Sequence, residues 1–409
     1  MTKTAKRILS VLLSALMLAF PLSSCSGEQT PVPGSDLAAA SKMPTGAKAD
    51  KRFLRAVTDF SQDLFRKSAV KGENLILSPL SVTYALTMTA NGAYGDTLRE
   101  FNKLNGGIPL AEMNEYLFWN AVCLESTRQS RVKVANSVWA DNGFPINSQF
   151  RWVAQKYYNA DAQNADFSDD ATADLINQWV SDKTDGMIDK VLEGAPSDRV
   201  MMLINTILFD GKWKTAYEES DVKKGTFRNY DGTESNAEML HSYEHTYFTG
   251  KGYEGMSKEY LDGYRFVAIL PDEGTDVYDF AAKLDWSDTV ADAMKARGEA
   301  YCSIPKFEYE SDIPLNEILQ SMGLQKAFTP EADFTGLAEG GERNLSISSV
   351  KQKAKIILNE SGTKAAAYTE VDMPECEMPT LTLNRPFVYA IVDGENNLPI
   401  FMGILAELS

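Results

Sequence analysis

Asn359-Glu360-Ser361-Gly362-Thr363-Lys364-Ala365-Ala366-Ala367-Tyr368-Thr369-Glu370-Val371-Asp372-Met373 is the stretch on which the fold turns. Its small side chains and Ser-Gly pair suit a loop, yet from Thr363 onward it alternates. One parity reads Thr363, Ala365, Ala367, Thr369, Val371, Met373, and the other reads Lys364, Ala366, Tyr368, Glu370, Asp372. A period of two with one small-to-apolar side is that of a strand able to bury one face. Alanine has low intrinsic β-propensity, so neighbouring strands must supply the pairing. A segment that suits both an exposed loop and a central strand is a candidate conformational switch. From the residues alone, a surface strand of tolerant sequence reads equally well.

Working outward, residues 345–358 are strand-like and run straight into this stretch. Beyond it, residues 386–393 and 398–406 read as two apolar strands joined by a short hairpin loop at Glu395-Asn396-Asn397. Residues 200–209 are almost wholly apolar and read as a buried strand, closed by the Asp-Gly turn of Phe209-Asp210-Gly211-Lys212-Trp213. Further strands are expected at 74–77, 131–140, 226–230, 238–240, 245–249, 265–270 and 300–305. Helices are expected at 48–68, 109–128, 147–160, 171–181, 313–321 and within 276–297, with a short one opening at Gly95. Another starts at Ser78-Pro79, with Ser78 as cap and Pro79 in the first turn, and ends near Asn91-Gly92. Neither an internal repeat nor a domain boundary after residue 48 is visible, and the class is α+β.

With 409 residues, 44% of them apolar, the chain can build a large core. Its start reads as an address: Lys3, Lys6 and Arg7 precede an apolar run from Ile8 to Phe20, too short to span a bilayer comfortably. Leu22-Ser23-Ser24-Cys25 resembles a bacterial lipoprotein processing site, which makes residues 1–24 a signal peptide and Cys25 a lipidation site. Residues 25–47 then read as a flexible tether, followed by one domain over 48–409. The expected location is extracytoplasmic, at a bacterial cell surface through the lipid or secreted.

The net charge of −17 becomes −20 once residues 1–24, with three cations and no anion, are removed. So acidic a chain repels nucleic acid and anionic lipid. Cys123, Cys302 and Cys376 show no CxxC spacing, and the two histidines, His241 and His245, lack an HExxH frame, so no metal or other cofactor is expected. No Gly-x-Ser-x-Gly elbow is present, which argues against a hydrolase.

Six segments in order resemble one family. They are Asn74 with Leu77-Ser78-Pro79-Leu80-Ser81-Val82; Gly92-Ala93-Tyr94-Gly95-Asp96-Thr97; Ile176-Asn177-Gln178-Trp179-Val180 with Thr184-Asp185-Gly186-Met187-Ile188; Asn205 to Trp213; Asn384-Arg385-Pro386-Phe387-Val388; and Leu398-Pro399-Ile400-Phe401-Met402-Gly403. The chain resembles a serpin over essentially all of residues 48–409. That resemblance implies three β-sheets, eight or nine helices and an exposed reactive loop at about 360–379. It also implies irreversible suicide inhibition of a protease rather than enzymatic activity: the protease cuts the loop, is trapped as an acyl-enzyme, and the cut loop enters the central sheet as a new strand.

On this resemblance Glu360, Gly362, Thr363, Ala365, Ala366 and Ala367 form the hinge. Thr363, Ala365, Ala367, Thr369, Val371 and Met373 form the inserting face, and none of the six carries a charge that would be desolvated on entry. The reactive bond falls at Cys376–Glu377, or at Glu375–Cys376 if the loop is counted back from Asn384. A small, mostly apolar thiol before the cut suits an extracellular, elastase-like serine protease. The expected partners are that protease and, through the lipid, a membrane; the protein is expected to be a monomer. Ser361, Lys364 and Tyr368 depart from the family pattern, and Gln352 stands where many relatives have a histidine near the opening region of the sheet. The alternative is a non-inhibitory or substrate-like serpin acting as a binding protein.

Overall fold

A computed structural model describes residues 43–125, 129–341, 345–361 and 378–408. Nine α-helices and fourteen strands are assigned among them. The first helix, α1 (Lys51–Ser68), is capped by Asp50, whose carboxylate accepts from the Arg52 and Phe53 N–H groups. Strand β1 (Leu75–Leu77) leads into α2 (Pro79–Ala90), every residue of which is buried. Ser78 caps α2 and Pro79 opens it, as the sequence predicts. Then come α3 (Gly95–Leu104), α4 (Leu110–Glu125), β2 (Arg131–Asp141), α5 (Ser148–Tyr158), β3 (Asp161–Ala165), α6 (Asp170–Lys183) and β4 (Met201–Asp210). The strand-rich region holds β5 (Val222–Arg228), β6 (Glu234–Gly250), β7 (Tyr253–Glu259) and β8 (Tyr264–Pro271). The chain continues through α7 (Val277–Ala281), α8 (Trp286–Lys295), β9 (Gly298–Pro305), β10 (Phe307–Pro314), α9 (Asn316–Ser321) and β11 (Ser349–Leu358). It closes with β12 (Thr380–Thr382), β13 (Phe387–Asp393) and β14 (Pro399–Leu405).

Several sequence expectations shift. The two strands read at 238–240 and 245–249 are one strand, β6, bent by an irregularity between Glu244 and Tyr247. Strands β3, β7, β10 and β12 were not expected. β10 takes residues 313 and 314 from the helix expected at 313–321. β3 and β7 are polar or short enough that pairing, not intrinsic pattern, decides them. The helix expected within 276–297 is α8, and a second short helix, α7, precedes it across Ala282–Asp285. Thr45, Gly46 and Ala47, read as the end of the tether, are hydrogen-bonded to Glu115 on α4.

The strands form a five-stranded sheet, β10-β11-β4-β2-β3, and a longer path, β1-β14-β13-β8-β7-β6-β9-β12, with β5 on β6. That path is two sheets sharing β6, whose first part pairs β5 and β9 and whose last three residues pair β7. Among the described residues three sheets and nine helices are therefore present, in the sense the family resemblance implies. One face of the five-stranded sheet joins the main core, while α6 and the segment after it cover part of the other. There Trp139, Phe167, Ile176, Trp179 and Val180 form a second apolar cluster with Met202 and Ile204. Among the described residues no helix is long and apolar enough to cross a membrane.

Candidate functional site

The centre of the five-stranded sheet is unusual in its pairing. β11 and β4 run parallel and are paired over only six positions, from Ser349–Met202 to Ala354–Ile207. Elsewhere in the sheet β11 pairs β10 antiparallel along all eight of the latter's residues, and β2 pairs β4 antiparallel from Arg131 to Ala140. Above Ala354 and Ile207 the two central strands diverge. The opening is a 320 Å³ cavity lined by Leu208, Phe209 and Asp210 on one side and Lys355 to Asn359 on the other. Chain continuing from β11 and turning back into this opening would lie antiparallel to both strands. It could then complete on each side the ladder hydrogen bonds that parallel pairing leaves slanted and the upper ends leave unmade.

The exit from β11 is held at three points. Trp213 donates its indole N–H to the Asn359 carbonyl at 2.9 Å, and the Tyr217 N–H donates to the Glu360 carbonyl at 3.2 Å. The Glu360 carboxylate meets the Lys306 ammonium at 2.9 Å, off the direction of an aligned hydrogen bond, and Lys306 also binds Glu238 at 2.8 Å. The bond to Lys306 holds the Glu360 carboxyl below its usual range. Trp213 is fixed by stacking on Tyr260, with ring centroids 4.0 Å apart and planes 10° apart. Gly211 permits this packing, since a Cβ there would lie 2.3 Å from the Phe209 ring and 3.0 Å from Tyr260.

Below the cavity the two central strands are tied by a buried polar network. Gln352 and Asn205 are cross-strand partners facing the core, each 0–1% exposed. The Gln352 amide N–H donates to Asn205 Oδ1 at 2.6 Å and to the Ser78 carbonyl at 2.9 Å, and its Oε1 accepts from the Ser78 N–H at 2.9 Å. Asn205 in turn donates to Ser81 and to Asn136 on β2. On the opposite face Lys351 and Lys353 donate to the carbonyls of Val191 and Lys190, in the segment after α6. Both lysines also reach β10, at Asp312 and Glu310, and Lys355 reaches Glu308.

This arrangement, a central sheet open between two parallel strands at its exit end, matches a known family. The family model described as Serpin (serine protease inhibitor) matches residues 55–408. The chain belongs to the serpin family. Iripin-3 of Ixodes ricinus is 30% identical over 356 residues, covering 82% of this chain and 90% of that protein. Intracellular coagulation inhibitor 2 of Tachypleus tridentatus is 30% identical over 396 residues, covering 88% and 93%. Among solved structures, the thermophilic serpin tengpin in its native state superposes with a TM-score of 0.82 at 37% identity, covering 92% of this chain and 99% of that one. Serpins are not catalysts, so the chain is not an enzyme, and its partner class is a protease.

Of the residues singled out in the sequence, Glu360 stands at the exit from β11, and Gln352 stands at the centre of the network tying β11 to β4. Gly362, Thr363, Ala365, Ala366, Ala367, Thr369, Val371, Met373, Glu375, Cys376 and Glu377 lie outside the described residues, as does Cys25. Both histidines lie on β6. His241 contacts Ser303 on β9 at 2.8 Å, and burial, then nearby Lys223, depress its pKa. His245 lies 3.0 Å from Glu299. Among the described residues no group of three His, Cys, Asp or Glu could hold a metal. Sequence reading missed Trp213, Tyr217 and Lys306 as the residues that hold the exit from β11. Trp213 was within a quoted motif, but the partners of all three are more than fifty residues away and leave no local pattern.

Proposed function

We propose that this serpin is an irreversible suicide inhibitor of an extracellular serine protease with elastase-like preference, acting by insertion of its cut reactive loop between β11 and β4. The observation that carries the reading is that those two parallel strands are paired over only six positions and that their pairing gives way to a cavity where β11 ends. The segment that follows has the alternation this position demands: uncharged, mostly small residues from Thr363 to Met373 on one face, and Lys364, Glu370 and Asp372 on the other. A charged side chain on the inward face would have to be desolvated against the core below β11 and β4.

The stabilisation comes from new antiparallel pairing and apolar burial that the uncut molecule lacks. It is released only when a cut frees the far end of the loop. We read the reactive bond as Cys376–Glu377, with Glu375–Cys376 as the alternative. We read Cys25 as the lipidated first residue of a monomeric protein tethered at a bacterial surface.

The test is incubation of the purified chain with an elastase, followed by denaturing electrophoresis and mass measurement of the released C-terminal fragment. A covalent complex stable to SDS, with a fragment beginning at Glu377, supports the proposal. Full conversion to cut protein with no complex would instead make it a substrate-like or binding serpin. Incorporation of labelled fatty acid that is lost in Cys25→Ala tests the anchor.

A further inference from the structure

Beneath the two rings that hold the hinge sits a buried ion pair. Lys258, near the end of β7, is 5% exposed, and its ammonium lies 2.6 Å from Glu244 Oε1 on β6. The side chains of the pair are 6% and 13% exposed. Glu244 also accepts from the Ser242 hydroxyl at 2.7 Å, and that hydroxyl lies 3.4 Å from the Tyr217 hydroxyl. The Lys258 ammonium stands over the face of Tyr217 at 4.4 Å from its centroid and over Trp213 at 5.9 Å. These are the two residues whose N–H groups hold the carbonyls of Glu360 and Asn359.

A buried ion pair is a poor source of stability, since well-packed apolar residues commonly do as well or better. A cation fixed over aromatic faces away from water is a directed attraction, stronger than at the surface. The one ammonium here touches both rings, and Glu244 fixes where that ammonium stands.

We propose that Lys258, set by Glu244, is a positioning residue that grips Tyr217 and Trp213 and thereby sets how readily the hinge leaves its place at the mouth of the sheet. The chain Glu244–Lys258–Tyr217/Trp213–Glu360/Asn359 couples the strand pair β6–β7 to the end of β11. Its consequence for inhibition rests on the insertion reading above, but the grip itself can be measured in the uncut protein without a protease.

The experiment compares the full chain with Lys258→Arg, Lys258→Met/Glu244→Met and Lys258→Gln/Glu244→Gln. Both double variants leave no unpaired buried charge, and either one serves if the other fails to fold. Amide hydrogen exchange is followed in peptides covering residues 214–218 and 355–361. We expect exchange at the Tyr217 N–H to quicken about tenfold in the double variants, with a thermal midpoint close to that of the parent, and to remain near the parent rate in Lys258→Arg. Parent-like exchange at Tyr217 in a folded double variant overturns the proposal, as does equal acceleration in Lys258→Arg. Failure of the parent to trap any protease would remove the inhibitory reading and leave the exchange result standing.

Discussion

Replacing Gln352 by methionine tests whether the sheet is held shut at its centre. The two side chains are similar in volume, so the change removes polarity rather than packing. Three hydrogen bonds are lost, and they differ in kind. Two join Gln352 to Ser78 beneath the sheet, and one crosses from β11 to Asn205 on β4. Adjacent strands stand about 4.8 Å apart, so a strand entering between these partners moves them to about 10 Å. The crossing bond cannot survive insertion, and removing it beforehand costs the closed sheet alone. Such a bond is worth about 1 kcal/mol net, which corresponds to a roughly fivefold change in rate. The two bonds to Ser78 add about 2–3 kcal/mol of general destabilisation, because they leave a buried N–H and carbonyl without partners.

The assay holds uncut protein below its unfolding temperature and withdraws samples. The remaining capacity to trap protease is measured, and the inserted form is resolved on urea-gradient gels. Gln352→Met should convert spontaneously to the inserted form about five times faster than the parent. Ile404→Val, a truncation of about 1 kcal/mol in the core of β14, should lower stability without that acceleration. A Gln352→Met protein with a lowered unfolding midpoint and an unchanged conversion rate would refute the claim that the Gln352–Asn205 bond opposes insertion.

Thr363→Arg should abolish the SDS-stable complex and leave cleavage intact, because an inward cation would stall the first step of entry; an unchanged complex yield would show that Thr363 does not face inward. In Glu360→Gln the tie to Lys306 loses its charge. The parent carboxyl titrates below its ordinary value, so the contribution of this pair is complete above about pH 4.3 and fades as pH falls through the lowered value. Both partners are partly exposed, so the effect is under about 1 kcal/mol; hydrogen exchange at 355–361 should show acid loosening in the parent and less of it in the variant. Trp179→Ala removes an indole that packs edge-on against Trp139 and donates its own N–H to Asp161 at 2.6 Å, and should cost about 3–5 kcal/mol in denaturant unfolding. Burial depresses the His241 pKa, so stability should fall as pH drops below about 6.5, and His241→Gln should flatten that part of the profile.

The legible parts of this fold were those in which local pattern and tertiary role agree. Ser78-Pro79 specifies a helix start by capping and by a fixed φ, and the mostly apolar run at 201–208 suits a strand buried on both faces. Strand β11 alternates core residues Val350, Gln352, Ala354, Ile356 and Leu358 with Lys351, Lys353 and Lys355, so its register could be read directly. Illegible were elements stabilised by their partners. β7 reads Tyr-Glu-Gly-Met-Ser-Lys-Glu and carries both glycine and charge, yet pairs β8 along its whole length. Because that strand had no local signature, the inward direction of Lys258 had none either. Gln352 was marked as a departure from the family, but its triple bonding depends on Ser78 and Asn205, 274 and 147 residues away.

The order in which the sheet would open follows from where its pairing stops. The mouth between β11 and β4 is already unpaired, so an entering segment meets first a cavity and then the Ala354–Ile207 pair. That pair presents a small side chain opposite a large one, and parting it costs apolar contact and ladder bonds but no side-chain hydrogen bond. Two positions lower stand Gln352 and Asn205, where parting breaks a buried hydrogen bond inside a network that reaches Ser78, Ser81 and Asn136. On the proposed mechanism entry would therefore meet its first side-chain hydrogen bond at the third of six pairs. On the proposed mechanism a cut segment would pass that point, because pairing gained on both sides would accumulate over the remaining length. The resistance at Gln352 and the grip at Trp213 and Tyr217 would then act in series, the first setting how far the segment goes and the second how often it enters.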